Sequence, residues 1–94
     1  MKPKPKTLRQ KRAVRFAVEL LTRLDYGYSV HVPYRTLAHE LTKSGYRISF
    51  MTVIAYWEAL EELGYVTRSM ESCVDGVTFN LNPYIFRKLI REWQ

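Results

Sequence analysis

Up to Leu63 the apolar residues of this chain recur every three or four positions; between Tyr65 and Leu81 the pattern turns strand-like, and Gly64 stands between the two regimes. A period near 3.6 belongs to helices and a period of two to strands, so the change divides a helical body from a β-hairpin. In the helical part, Val14, Ala17, Val18, Leu21 and Leu24 form one stripe, with Arg12, Arg15, Glu19 and Arg23 opposite. This predicts a first helix from about Leu8 to Leu24, capped by Thr7 and closed before Tyr26-Gly27. Ser29-Val30-His31-Val32 reads as a brief strand. Pro33 suits the first turn of a second helix, with Leu37, Ala38 and Leu41 buried and Ser44-Gly45 ending it. Ser49 caps a third, with Val53, Trp57, Leu60 and Leu63 on one face and Gly64 at the position where glycine closes a helix.

Beyond Gly64, Tyr65 to Arg68 and Val77 to Leu81 are strand-like, separated by a polar segment containing the turn pair Asp75-Gly76. Asn82-Pro83 then opens a short last helix, Tyr84 to Trp93, with Ile85, Leu89 and Trp93 turned inward. The predicted order is α-β-α-α-β-β-α: mainly α with a small β-hairpin, an α+β fold. Ninety-four residues fit one domain. Residues 1–6, with alternating lysine and proline, read as a flexible basic arm, and 7–94 as a single domain.

Charge is distributed unevenly. Lys2, Lys4, Lys6, Arg9, Lys11, Arg12 and Arg15 all precede the first acid, Glu19; the other eight bases face all nine acids. A basic N-terminus on a near-neutral body suits a polyanion, and a solubilising tail is the plainer alternative. The most apolar stretch, Ala13 to Leu24, is too short and too charged to span a bilayer. No unbroken apolar run follows the basic N-terminus, so no secretory signal is expected. The single cysteine, Cys73, has no partner for an internal disulfide and fits a reducing cytoplasm. There is no phosphate-cradling glycine loop, no metal-ligand spacing and no nucleophile with a base. The residues therefore imply a binding protein without a cofactor or small-molecule substrate, not an enzyme. His31 reads as structural; His39 is exposed by helix phase, with Lys43 in place of a second metal ligand four residues on.

Leu37-Ala38, Ile48-Ser49, Thr52-Val53 and the run Leu60-Glu61-Glu62-Leu63-Gly64-Tyr65-Val66 follow one another in an order and spacing that resembles the winged helix-turn-helix family, over roughly residues 30 to 82. In that family an apolar-Ala pair marks the close crossing of the first motif helix, and an apolar-Ser pair opens the second. A Leu-Glu-rich run ending in glycine leads into the wing. The close at Thr78 to Phe86, with strand passing straight into Asn82-Pro83, is more loosely similar to the winged-helix domains of plasmid and phage replication initiators. The resemblance implies a duplex DNA-binding protein, either a small transcription regulator or an initiator-type DNA-binding domain. It also implies a homodimer.

It further implies that the helix opened by Ser49 enters the major groove, with early residues at base edges. By phase its outward positions are Phe50, Met51, Ile54, Ala55 and Glu58, with Thr52 borderline; a shift of one position turns Ile54 inward. Base readout favours Arg, Lys, Asn and Gln, and this helix has no Arg or Lys. Phosphate contacts therefore carry the expected affinity: Lys2, Lys4, Lys6, Arg9 and Arg12 from the arm and first helix, Tyr34 and Arg35 at the second helix start, Lys43 and Arg47 beside the turn, and Arg68 at the hairpin base. The alternative is a protein-interaction or dimerisation module whose apolar face is Phe50, Met51 and Ile54. Arg87, Lys88 and Arg91 read as a solvated face.

Overall fold

The computed structural model describes residues 4–73 and 76–93. Lys2 and Asp75, named above, lie outside the described residues. In chain order the elements are α1 (Leu8–Arg23), β1 (Ser29–Val30), α2 (Tyr34–Lys43), α3 (Phe50–Glu62), β2 (Val66–Cys73), β3 (Gly76–Leu81) and α4 (Pro83–Trp93). They form a small α+β domain of four helices and a three-stranded antiparallel sheet in the order β1-β3-β2. Among the described residues no helix is long and apolar enough to cross a membrane.

The sequence sets the boundaries locally. Thr7 accepts from the Gln10 N–H at 3.0 Å, and the Gln10 side chain accepts in return from the Thr7 N–H, a capping box that fixes the start of α1. Asn82 Oδ1 accepts from the N–H groups of Tyr84 and Ile85 and starts α4, with Pro83 in its first turn. Gly64, at φ +76°, lets the Tyr65 N–H reach back to the Leu60 carbonyl and turns the chain from α3 into β2. β2 pairs with β3 from Val66↔Leu81 to Cys73↔Gly76, so it runs well past Arg68, where the alternation in sequence stops. Between Arg68 and Ser72 the register shifts: the three residues 69–71 of β2 stand against the single residue Thr78 of β3. That irregularity is why the sequence pattern fades there. β1 keeps only Ser29 and Val30, opposite Asn80 and Phe79.

A column of rings joins the layers. Trp57 of α3 lies parallel to Phe79 of β3, with centroids 4.5 Å apart, and Phe16 of α1 meets the Trp57 ring edge-on at 5.2 Å. All three are fully buried. Leu37, Ala38 and Leu41 of α2 and Val53, Leu60 and Leu63 around α3 fill the rest, on the faces their spacing predicts.

Two helix faces differ from the expectation. In α1 the buried set is Ala13, Val14, Phe16, Ala17, Val18 and Leu20, while Leu21 and Leu24 are only half-buried. At 100° per residue these positions cover more than half the circumference, because α3 and α4 both pack against α1. A helix covered on two sides shows no single stripe. In α4 the fully buried residue is Phe86, edge-on to Tyr65 at 6.0 Å, and Ile85 and Leu89 flank it half-buried. The Trp93 side chain lies outside the described set.

Candidate nucleic-acid interface

Arg35, His39 and Lys43 follow one another at four-residue intervals and share the exposed face of α2, since Leu37, Ala38 and Leu41 take the buried one. The turn that follows is braced from several sides. Gly45, at φ +103°, allows the Tyr46 N–H to bond the Leu41 carbonyl at 2.9 Å. Thr42 Oγ1 donates to the Ile48 carbonyl at 3.1 Å and accepts from the Ile48 N–H at 3.3 Å. Arg23 of α1 donates through Nη1 to the Ser44 carbonyl at 2.6 Å, satisfying an end of α2 that has no intrahelical partner. Arg47, exposed on this turn, thus stands on a fixed backbone.

Ser49 closes the turn as N-cap of α3, its Oγ accepting from the Thr52 N–H and lying 3.0 Å from Thr52 Oγ1. The first-turn N–H groups of Phe50 and Met51 have no acceptor within the helix. Between α2 and this helix start runs an open groove of about 320 Å³, lined by Arg35, Ala38, His39, Thr42, Ile48, Ser49 and Phe50, with no carboxylate in its wall. The Arg35 guanidinium lies over the Phe50 ring, 4.1 Å from its centroid, which holds the charge at the groove mouth. Neither Arg35, Lys43 nor Arg47 has an ion-pair partner among the described residues.

The other residues expected to bind DNA are placed differently. Arg9 donates to the Ala55 carbonyl of α3 at 3.1 Å and pairs with Glu58 at 3.5 Å. Arg68 pairs with Glu61 at 3.2 Å and lies over Phe79. Both are thus engaged with the acidic second half of α3. Exposed pairs of this kind are weak, about 0–1 kcal/mol, but they offset the charge that would meet a phosphate. Tyr34 is half-buried beside Phe79, 6.5 Å between ring centroids. Lys4 lines a groove with α4, away from the α2–α3 turn, while Lys6 and Arg12 are exposed. The apolar outward face of α3 is smaller than its spacing suggests. Met51 is exposed at 63%, but Phe50, Ile54 and Ala55 are half-buried, Phe50 beneath Arg35 and Ala55 beside Arg9.

His31 is structural in its contacts: Nδ1 hydrogen-bonds Oγ1 of Thr78, a buried polar residue. Among the described residues no group of three or more His, Cys, Asp or Glu is placed to hold a metal ion. The sequence reading missed His39 as a groove residue, although the spacing of Arg35, His39 and Lys43 was its signal. It also missed Arg23, whose contact with Ser44 spans 21 positions and has no local signature.

Arg23 is itself oriented by Glu19, which bonds Arg23 and Arg15 one turn away on either side. Burial raises the Glu19 pKa, but hydrogen bonds and charge from Arg23, then Arg15, outweigh it and leave the carboxyl below its ordinary 4.5. A carboxyl lowered on folding adds stability above its unfolded pKa and loses it as pH falls through the folded value. Urea midpoints should therefore drop below about pH 4.5, and Glu19→Gln should remove part of that drop while lowering the midpoint at neutral pH. A variant with the wild-type pH profile would show that this pair contributes nothing to stability.

Comparisons of the chain with protein-family models, with curated proteins and with solved structures give no match.

Proposed function

We propose that the chain is a winged helix-turn-helix domain that binds duplex DNA, as small transcription regulators and replication-initiator domains do, with α2 and the start of α3 as its DNA-facing surface. The observation that carries this reading is the carboxylate-free groove at the α2–α3 turn, flanked by Arg35, Lys43 and Arg47 without ion-pair partners among the described residues. Three placed cations and helix-start N–H groups suit phosphate oxygens, which supply most non-specific affinity. The order of elements, with a hairpin beside α3, supports the winged arrangement. Few side chains suited to base edges lie on α3, so specificity is modest and the affinity is mainly electrostatic.

A protein-interaction role for α3 draws less support, because Phe50 and Ile54 are half-buried and Met51 alone of the three is exposed. Homodimerisation through that face loses ground for the same reason.

The test is anisotropy of a labelled random-sequence duplex titrated with the protein across a salt series. Three phosphate contacts predict log Kd rising with log salt at a slope of about 2.7, from about 0.9 per neutralised phosphate. Absence of binding at low salt would overturn the reading.

A further inference from the structure

The strongest charge imbalance outside the α2–α3 turn lies on α4. Tyr84, Arg87, Lys88 and Arg91 fall at i, i+3, i+4 and i+7, one exposed stripe opposite buried Phe86. They line a groove of about 490 Å³ that starts at Asn82 and Pro83. Tyr84 and Lys88 also line a second groove of about 660 Å³, whose far wall is Lys4, Pro5 and Lys11 and whose floor includes Tyr65, Ile85 and Leu89. Lys4 and Pro5, ahead of α1, therefore meet α4, and the two grooves join at Tyr84 and Lys88. Lys4, Lys11, Arg87, Lys88 and Arg91 border them, against one carboxylate, Glu92. None of the five has an ion-pair partner among the described residues.

Tyr84 is the distinguishing group. It is 80% exposed, makes no ring contact among the described residues, and its hydroxyl has no hydrogen-bond partner there. An aromatic ring held out among cations gives no advantage against duplex DNA, whose base faces are already stacked. It fits a strand whose bases are free to stack on it while the backbone follows the flanking charges. A protein partner would need apolar area to bury, and Tyr84 is the one exposed large apolar side chain among the residues bordering these grooves.

The geometry points to a second nucleic-acid surface, formed by α4 with Lys4, Pro5 and Lys11, that binds single-stranded nucleic acid with Tyr84 as the stacking platform. It shares no lining residue with the α2–α3 groove and stands independently of the duplex reading.

The probe is a labelled thymidine oligonucleotide of about 20 nucleotides, longer than the sites typical of small single-strand binders, titrated beside a duplex of equal length. Wild-type protein binds it, with a salt slope up to about 3.5 for five phosphate contacts at 0.7 each. Tyr84→Ala weakens this binding about 5- to 150-fold, the range for loss of one stacked base, while Tyr84→Phe keeps it. Lys88→Glu with Arg91→Glu abolishes it. None of these exposed changes alters duplex affinity or the circular dichroism spectrum. The inference is overturned if the single strand does not bind at low salt, or if Tyr84→Ala binds it like wild type. It is equally overturned if Lys43→Glu with Arg47→Glu weakens both probes alike, since the strand would then be using the α2–α3 groove. Sedimentation provides the remaining check: a dimer that Tyr84→Ala dissociates, without single-strand binding, makes this face a protein interface.

Discussion

Trp57→Ala is expected to destabilise the domain by about 3–5 kcal/mol, the range for deleting a large aromatic side chain from a packed core. A domain of this size has a stability of about 5–14 kcal/mol, at 0.05–0.15 kcal/mol per residue, so the loss takes between about a fifth and all of that margin, and the variant is partly unfolded at ambient temperature where the wild-type stability lies at the low end. The effect is large because of what the ring touches. One face lies on Phe79 at 4.5 Å with the planes 9° apart, and Phe16 abuts its edge at 5.2 Å. Losing it removes the ring stack between α3 and β3 in one step and leaves a cavity lined by rings that cannot collapse without moving β3. Trp57→Phe retains a ring against Phe79 and should recover more than half of the loss. Urea denaturation of the three proteins checks this, with the midpoint and the slope read together. A Trp57→Ala midpoint close to wild type would show that the column of rings does not join the layers as described.

The order of elements was legible because the signals are local. The capping box at Thr7, the positive-φ glycines at 45 and 64, the Asn82 cap and the change of period each act within a few residues of themselves. What depended on packing was not legible. Phe16 and Leu20 are as buried as any residue described, yet they lie off the apolar stripe of α1, because α1 packs against both α3 and α4, and Phe16 meets Tyr56 and Trp57 of α3. Phe86 was different: three residues before Leu89, it lies on the same face of α4, and its signal in the spacing was overlooked. At the site the division is similar. Arg35, Lys43, Arg47 and Ser49 lie within one motif, and their grouping follows from helix spacing. Arg9 meets Glu58 across 49 positions, and Lys4 reaches α4 from the other end of the chain. Charge counting assigned those cations to DNA because it sees sign and density but no partners.

Lys43→Glu combined with Arg47→Glu is expected to weaken duplex binding by at least about 100-fold at moderate salt, while leaving the thermal midpoint within a few degrees of wild type. Each charge-assisted hydrogen bond is worth about 1.5–3 kcal/mol, so losing two removes about 3 kcal/mol or more, and reversal adds repulsion. Stability should be spared because both side chains are exposed and make no ion pair among the described residues, while the turn beneath them is held by other groups: Gly45, Thr42 with Ile48, and Arg23 with Ser44. Arg9→Glu with Arg68→Glu is the matched control. It changes net charge by the same amount, but it removes cations already engaged with Glu58 and Glu61. If the field of the whole molecule governs binding, the two double variants lose affinity equally; if placed cations govern it, the first loses far more. Equal losses would remove the α2–α3 turn from its assigned role, and a loss confined to Lys43 and Arg47 would fix the phosphate contacts to the α2–α3 groove, whose wall holds no carboxylate and whose backbone is braced on three sides.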